Sequence, residues 1–466
     1  MAREVDMLGM KKNNFRKFWK LGKKENNTQY FNINKDGELV IFEGNYQYNV
    51  RELCQRFGTP LKIMLPYIVE QRVEDLMDLF DDCIRDYKYK GNFYYHYPMK
   101  ANQCREFVLP LISEGANIET TSPNELWVVK RMWQQNRFNS RIKVICNGPK
   151  TAEYLELIAE LKQNGLDIVP IIEDLSEKEA LGKFRGQVGV RIDVDVRAKS
   201  YWDKKIERFG LSLEEVFSLG KINNLTILHY HLGSEMLRAS DFVRALKKAM
   251  DVYVKLKKVN PSLDTIDIGG GFFGSYYAGK SMYSTKNVVT GIVRFLEKFC
   301  RDNEIAHPNI ICEWGAHVVG PSQMTVFSAL SEKSIPKATA KQWYVIDGSF
   351  QTHLLDTWAV HKQWHVVPVN NMDAPKLTRT WLAGLSCDSD DKYTAGGSYI
   401  LLPRLQDLEP NEKQYLAFLD TGHYQDGFLN HHCLNAAPAK VVCQDGDVKL
   451  VRKRETPEDV GKMFGW

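Results

Sequence analysis

Residues 225–272 read LTILHYHLGSEMLRASDFVRALKKAMDVYVKLKKVNPSLDTIDIGGGF, and this stretch contains a complete unit of the fold. It begins with the apolar run LTILHYHLGS (225–234), continues with SDFVRALKKAMDVYVKLKKV (240–259), whose apolar residues recur every three or four positions, and ends with TIDIGGGF (265–272). Short apolar runs are typical of buried strands, and the longer pattern is typical of an amphipathic helix. The stretch therefore predicts a strand–helix–strand unit with parallel strands.

The same alternation extends on both sides of this unit. The other predicted strands are NFYYHYPMK (92–100), NIETTS (117–122), IKVICNG (142–148), LDIVPIIED (166–174), QVGVRIDV (187–194) and NIICEWG (309–315). Repeated this often, parallel β/α units favour a closed (β/α)8 barrel. A ninth run, PLKIML (60–65), exceeds the eight strands of such a barrel. We therefore expect the barrel to start at NFYYHYPMK and PLKIML to lie with the preceding hairpin in another layer.

The remaining chain suggests an α/β protein with a second, all-β domain. Strand-like pieces separated by turn residues, such as QWYVIDGSF (342–350) and AKVVCQ (439–444), follow the barrel. YFNINKDGELVIFEG (30–44) is typical of a hairpin. The predicted domains are a basic, flexible tail (1–28), N-terminal strands of the β-domain (29–65), the barrel (66–322) and the C-terminal β-domain (323–466).

Composition excludes several classes of function. Lys+Arg minus Asp+Glu is 62 − 58 = +4, too small an excess to indicate nucleic-acid binding. The sequence contains no run of 18 apolar residues, so no membrane span is predicted. The first residues, MAREVDMLGMKK, lack the apolar stretch of a signal peptide. The nine cysteines contain no C-x-x-C pair, so we expect reduced thiols, no structural metal and a cytoplasmic protein.

Polar residues collect at the predicted strand ends, where barrels of this kind carry their active residues. These are Lys100, His231, Ser234, the glycines 269–271 and Glu313. Each has an ordinary structural explanation: a solvated lysine, a core histidine, a tight turn, half of an ion pair. Together they suit pyridoxal 5'-phosphate (PLP), with a lysine for the Schiff base, amides for the phosphate and a carboxylate for the pyridine nitrogen.

Several motifs extend this interpretation. YPMKANQ, LHYHLGSEM, IDIGGGFFG, SFQTHLLDTWAV, SCDSDDKY and GHYQDGFLNHH occur in the order found in the alanine-racemase-like (fold type III) PLP decarboxylases. From about residue 30 to the C-terminus the chain resembles these enzymes, and most closely the biosynthetic arginine decarboxylases.

The resemblance implies roles for the matching residues. Lys100 would carry PLP, His231 would stack on its ring, and Glu313 would pair with its nitrogen. Ser234, Gly270, Gly271 and Tyr424 would bind the phosphate. The family's substrate loop crosses between the subunits of a homodimer, so Cys387 would be the catalytic proton donor of the other subunit's site. Asp388, assisted by Asp390 and Asp356, would bind the distal cation of a basic amino acid.

Two departures from the family pattern leave alternatives open. The family has E-P-G-R or E-S-G-R where this chain has Glu313-Trp314-Gly315-Ala316, so an arginine contact to phosphate is missing. An inserted helical segment of the bacterial enzymes is also absent. Decarboxylation of L-arginine to agmatine is the leading hypothesis. A decarboxylase of ornithine, lysine or an arginine derivative, and a non-catalytic regulatory homologue, are the alternatives.

Overall fold

The computed structural model describes residues 4–6, 12–138, 142–196, 208–236, 238–273, 284–335 and 337–466. These residues form two compact units. The barrel unit contains the described residues between 70 and 318, and the β-rich unit contains those up to 69 and from 319 onward. No helix in these ranges is long and apolar enough to cross a membrane.

The N-terminal part of the chain is more ordered than its composition predicts. Its elements are β1 (Glu4–Asp6), α1 (Lys12–Phe18), β2 (Phe31–Ile33), β3 (Leu39–Glu43), β4 (Tyr46–Asn49), α2 (Val50–Phe57), β5 (Leu61–Met64) and α3 (Pro66–Asp86). The prediction of a flexible tail over residues 1–28 is wrong for residues 14–28. In this stretch Phe15, Trp19 and Leu21 are buried in the core of the β-rich unit. Phe15 and Trp19 are four residues apart, which places both rings on one side of the chain.

The barrel unit is built from eight strand–helix repeats. They are β6 (Phe93–Pro98), α4 (Arg105–Ser113), β7 (Asn117–Thr120), α5 (Pro123–Gln134), β8 (Lys143–Cys146), α6 (Ala152–Gln163), β9 (Asp167–Ile172), α7 (Leu175–Ala180), β10 (Val188–Ile192), α8 (Leu213–Ser218), β11 (Leu225–Tyr230), α9 (Ala239–Val259), β12 (Thr265–Asp267), α10 (Thr285–Asp302), β13 (Asn309–Cys312) and α11 (Gly315–Val319). Side chains at the strand–helix junctions favour these boundaries. Ser122, Thr151 and Asp174 each accept a backbone N–H and so begin α5, α6 and α7.

The barrel closes as the sequence predicts. Each strand pairs in parallel with the next, and β13 pairs with β6 through Ile311 opposite Tyr94. Part of the interior is apolar, where five side chains form one buried cluster: Ile145, Val169, Ile171, Ile227 and Ile311. Because all strands run in one direction, their carboxyl ends meet on one rim, where the predicted site residues follow them.

The β-rich unit continues after α11. Its elements are β14 (Gln323–Ser334), β15 (Gln342–Ile346), α12 (Asp356–Ala359), β16 (Val366–Pro368), β17 (Lys376–Ala383), β18 (Lys392–Tyr393), β19 (Ile400–Leu402), β20 (Tyr415–Phe418), β21 (Ala439–Gln444), β22 (Asp447–Arg452) and α13 (Pro457–Met463). Strand β5 pairs with β14 and β21 in this unit, so PLKIML lies outside the barrel as predicted. It is not in the sheet of the β2–β4 hairpin, which forms a separate three-stranded sheet.

A buried charge cluster joins strands of this unit. Asp426 lies 2.9 Å from the ammonium groups of both Lys62 and Lys440, which are fully buried, and 3.4 Å from the Arg452 guanidinium. Burial by itself would raise the pKa of Asp426, but the three cations hold that pKa well below its ordinary value. The carboxylate therefore stays ionised and neutralises charge inside the sheet.

Replacing this carboxylate should destabilise the chain strongly. We expect Asp426→Asn to lower the free energy of unfolding by about 3–5 kcal/mol, because it leaves buried ammonium groups without their counter-ion. Asp82→Asn is the control, since the Asp82–Arg85 pair is exposed and such pairs contribute about 0–1 kcal/mol. Urea denaturation followed by circular dichroism measures both variants, and equal losses would contradict the role of Asp426.

Candidate active site

The carboxyl-terminal rim of the barrel opens into a cavity of about 750 Å³. Cavities of this size hold small ligands and cofactors. Its walls are formed by Lys100, Thr121, Asn147, Gly148, Pro149, Arg191, Arg208, Phe209, His229, His231, Gly233, Ser234 and Glu313. Four residues expected at the site, Lys100, His231, Ser234 and Glu313, are therefore brought together in one cavity.

Lys100 owes its position to the turn that follows β6. Residues Met99–Ala101 form a short 3-10 helix in which Met99 and Ala101 are buried while Lys100 is exposed. Gly315 is needed opposite this turn, since a Cβ there would come within 2.7 Å of Ala101 and Pro98. The turn is therefore anchored by two apolar side chains, and the amine between them faces the cavity.

His231 packs against the glycine loop that follows β12. The Gly270 N–H donates to His231 Nδ1 at 3.1 Å, and a Cβ on Gly270 would lie 3.2 Å from the imidazole. Gly269 and Gly271 have φ values of +63° and +99°, which favour glycine. Burial, followed by Lys100 and Arg191, lowers the pKa of His231 well below its ordinary value. The ring is therefore neutral, and its proton lies on Nε2 because Nδ1 accepts a hydrogen bond.

The glycine loop contributes less to the cavity than the sequence indicates. Gly233 and Ser234 line its wall, whereas Gly270 and Gly271 do not. The Gly270 amide is donated to His231, and the Gly271 carbonyl accepts the N–H of Met236. The roles of Gly270 and Gly271 at a phosphate stay predictions.

Glu313 is the ionised member of a buried carboxylate group. Its Oε1 accepts a hydrogen bond from Asn147 Nδ2 at 2.9 Å, and its Oε2 lies 3.6 Å from His229 Nε2. Burial by itself would raise the pKa of Glu313, but His229, followed by Lys100, lowers it below its ordinary value. A negative charge is thereby held at the base of the cavity.

Two further carboxyl groups beneath the cavity are held in the neutral form. Burial, and then the charge of Glu313, raises the pKa values of Glu119 and Asp267 well above their ordinary range. One ionised and two protonated carboxyl groups thus share the barrel interior, since like charges this close disfavour joint ionisation. Potential ligand atoms of His229, Asp267 and Glu313 lie within 4.8 Å of one another.

Several polar atoms around Glu313 have no hydrogen-bond partner among the described residues. They are both ring nitrogens of His229, both oxygens of Glu119, Asn147 Oδ1 and Asp267 Oδ2. Buried polar atoms without partners are rare unless a ligand or water completes them. A cavity with an amine, a neutral imidazole and an ionised carboxylate fits a protonated pyridine ring with an aldehyde, so these residues fit PLP.

Sequence reasoning missed part of this site. His229, Asn147, Asp267 and Glu119 were not singled out, although each lies on or directly after a barrel strand with a site residue nearby. Their polar side chains within buried strand runs were the available signal. Arg191 on β10 pairs with Glu173 at 2.9 Å and also lines the cavity.

The other predicted site residues belong to the β-rich unit. Cys387 and Asp388 are exposed in the loop after β17, where the Cys387 thiol is 3.8 Å from Cys433 and Asp388 pairs with His432 at 2.5 Å. Asp390 pairs instead with Lys392 at 3.1 Å. Asp356 is buried at the start of α12, and its backbone N–H donates to Gln425.

Tyr424 also lies in this unit, with its ring stacked on that of Phe428 at a centroid distance of 5.8 Å. Of the neighbouring histidines, His431 pairs with Glu455 at 2.8 Å. The proposed roles of these β-rich-unit residues in cofactor and substrate binding stay predictions.

Ala316 stands where the family has its arginine, and no charge is supplied by its neighbour. His317 is buried, its ring lies 4.6 Å from Phe272, and Arg72 donates to both its carbonyl oxygen and its ring Nδ1. Burial, followed by Arg72, lowers the pKa of His317 well below its ordinary value. The neutral ring of His317 is part of the apolar packing and does not replace the missing cation.

Comparison with known proteins identifies the class. Residues 73–320 match the family model described as pyridoxal-dependent decarboxylase, pyridoxal binding domain. The chain therefore belongs to this family of PLP-dependent enzymes, and PLP is the cofactor of the family.

One curated relative and two solved structures show which members of the family this chain resembles. The chain is 28% identical over 346 residues to a biosynthetic arginine decarboxylase of Prochlorococcus marinus, covering 68% of this chain and 52% of that protein. The match thus spans about half the length of the curated relatives. The crystal structure of the biosynthetic arginine decarboxylase SpeA from Campylobacter jejuni has a TM-score of 0.81 at 18% identity, covering 97% of this chain and 92% of that one. Diaminopimelate decarboxylase from M. jannaschi has a TM-score of 0.76 at 22% identity, covering 93% and 97%. Both of these structures have the same fold as this chain.

Proposed function

We propose that this protein is a PLP-dependent decarboxylase of a basic amino acid, and that L-arginine is converted to agmatine and CO2. The observation that carries this proposal is the ionised Glu313 in the same barrel cavity as the amine of Lys100. Bound PLP supplies the electron sink that accepts the bonding pair when the substrate carboxylate leaves as CO2.

The residues of the barrel unit would hold and tune the cofactor. The Lys100 amine would hold it by a covalent bond. The negative charge of Glu313 would favour a proton on the pyridine nitrogen. The neutral imidazole of His231 would pack on the ring, and Ser234 and Gly233 would contribute donors to the phosphate, with Gly270 and Gly271 assisting. Tyr424 of the β-rich unit would be a further phosphate donor.

The residues of the loop after β17 would act on the substrate. Cys387 donates a proton to the carbon that has lost its carboxylate, and Asp388 binds the distal cation, with Asp390 and Asp356 assisting. A carboxylate matches a guanidinium in a bidentate geometry, which favours arginine over a shorter amine. In the protein alone His432 Nε2 lies 2.5 Å from Asp388 Oδ2, so a cationic substrate would displace this contact at the carboxylate.

The substrate is tested with purified PLP-loaded protein and a panel of L-arginine, L-ornithine, L-lysine and meso-diaminopimelate. Release of CO2 and chromatography of the amine product are measured for each. Arginine should give the highest kcat/KM, with agmatine as product. A higher kcat/KM for another amino acid would show that this amino acid, and not arginine, is the substrate. PLP binding without CO2 release from any of the four would support a non-catalytic homologue.

We further propose a cytoplasmic homodimer whose subunits complete each other's sites. The free state of all nine cysteines agrees with a reducing compartment. If Cys387 serves the site of the other subunit, Lys100→Ala and Cys387→Ala chains mixed through unfolding and refolding should recover about a quarter of wild-type activity, since random pairing makes half the dimers mixed and each has one intact site. No recovery in a mixture that sediments as dimers would place both residues in one subunit's site.

Restoring the family's arginine should strengthen PLP binding. Because a hydrogen bond to a charged group contributes about 1.5–3 kcal/mol, we expect Ala316→Arg to lower the Kd for PLP by about 10-fold or more. Ala316→Gln, which adds length without charge, should change it by less than about 3-fold. Fluorescence titration with PLP measures the series. Equal Kd values for the two variants would show that this position does not reach the phosphate.

A further inference from the structure

Two of the nine cysteines form an exposed pair in the β-rich unit. The Sγ atoms of Cys387 and Cys433 are 3.8 Å apart, although the residues are 46 positions apart in sequence. Both side chains are exposed, whereas the other cysteines are buried, apart from the half-buried Cys104. Cys387 and Cys433 are thus the two fully accessible thiols, and they face each other.

The pair is held together by contacts on both loops. Next to it, His432 Nε2 lies 2.5 Å from Asp388 Oδ2, so two consecutive residues of one loop contact two consecutive residues of the other. Both loops are also attached to Gln351, whose side-chain oxygen accepts from Ser386 Oγ at 3.3 Å and whose backbone carbonyl accepts from Asn430 Nδ2 at 2.7 Å. The approach of the thiols therefore results from several independent contacts.

We propose that Cys387 and Cys433 are a reversible oxidation site, which hydroperoxides convert to an intrachain disulfide that stops turnover. The loss of turnover rests on the proposed function, because it requires Cys387 to be the proton donor. The disulfide itself does not depend on that role.

The chemistry needs one molecule of hydroperoxide for each pair. The thiolate of one cysteine attacks the peroxide oxygen and becomes a sulfenic acid, while the O–O bond breaks and, for hydrogen peroxide, water leaves. The second thiol then attacks the sulfenyl sulfur, the S–S bond forms, and a second water leaves. Two thiols have lost two protons and two electrons, and the peroxide has been reduced to two waters. A dithiol reductant reverses the reaction by disulfide exchange.

The geometry requires only a small movement. A disulfide has an S–S distance of about 2.05 Å, so the sulfur atoms must approach by less than about 2 Å, which side-chain rotation in exposed loops can supply. Hydrogen bonding to Cys433, followed by the charge of Asp388, raises the pKa of the Cys387 thiol. The thiol is therefore protonated at neutral pH, as a proton donor must be, and oxidation should become faster as the pH rises.

The test uses PLP-loaded protein, hydrogen peroxide and non-reducing peptide mapping by mass spectrometry. In the wild-type chain, we expect a peptide pair linked through Cys387 and Cys433, a decrease in activity of about 10²-fold, and full recovery with dithiothreitol. Cys433→Ser should keep the basal activity but lose recovery, because Cys387 without its resolving thiol proceeds to sulfinic acid. Cys104→Ser is the matched control, and it should behave like the wild type.

Different outcomes would overturn different parts. Inactivation without the linked peptides, or a linkage between two chains seen as a dimer on non-reducing gels, would overturn the intrachain pair. Linked peptides with unchanged activity would overturn the effect on turnover and the role of Cys387 as proton donor. Absence of activity in the reduced protein would overturn the proposed function, while the mapping still decides whether the disulfide forms.

Discussion

Lys100→Ala should abolish the visible absorption of lysine-bound pyridoxal and reduce CO2 release by at least about 10³-fold. The reason is the loss of the covalent attachment, since none of the other described residues that line the cavity is a primary amine. Loss of a covalent catalytic group commonly costs several orders of magnitude in kcat. Absorbance spectra after dialysis against PLP and single-turnover CO2 release measure the two effects.

A second lysine variant separates attachment from a general effect of lost charge. Lys130 on α5 pairs with Glu160 and lies outside the cavity. Lys130→Ala should retain both the absorption band and the activity. A visible band that persists in Lys100→Ala would mean that another lysine holds the cofactor, and the assignment of the strand-end amine would then be wrong.

Glu313→Gln should reduce kcat by about 10²-fold while PLP remains bound. The carboxylate is ionised, because His229 and Lys100 outweigh the effect of burial on its pKa. An amide has nearly the same size but no charge, so it would no longer hold a proton on the pyridine nitrogen. Removal of one preorganised electrostatic contact at a reacting group typically costs 10²–10³-fold in kcat.

Glu119→Gln is the matched control for this experiment. Glu119 is equally buried, but its pKa is raised, so the side chain is a neutral acid before the substitution. Replacing a neutral acid by a neutral amide should change kcat by no more than a few-fold. Equal losses in the two variants, measured as kcat with saturating arginine, would contradict the assignment of the single negative charge to Glu313.

Much of the barrel follows from local sequence patterns. The strand runs have the short apolar character of buried parallel strands, and α9 has continuous helical periodicity over Ala239–Val259. Strands β14 and β17 are not among the predicted strands, because polar side chains occupy buried positions in both of them and weaken the period of two. These side chains are Thr325 and Ser328 in β14 and Thr378 and Thr380 in β17. The prediction of a flexible tail relied on the many charged residues of this segment. It gave too little weight to Phe15 and Trp19, whose aromatic side chains are buried.

The sequence by itself determined the barrel, the place of Lys100 at the end of its first strand, and the family, because strand and helix periodicities and contiguous motifs are local properties. Only the tertiary structure decided which of the buried carboxyl groups is ionised, since the pKa values of Glu119, Asp267 and Glu313 depend on one another across three strands. It also decided that Cys387 faces Cys433. Charge coupling and thiol proximity are properties of distances between residues far apart in the chain, and those distances exist only after folding.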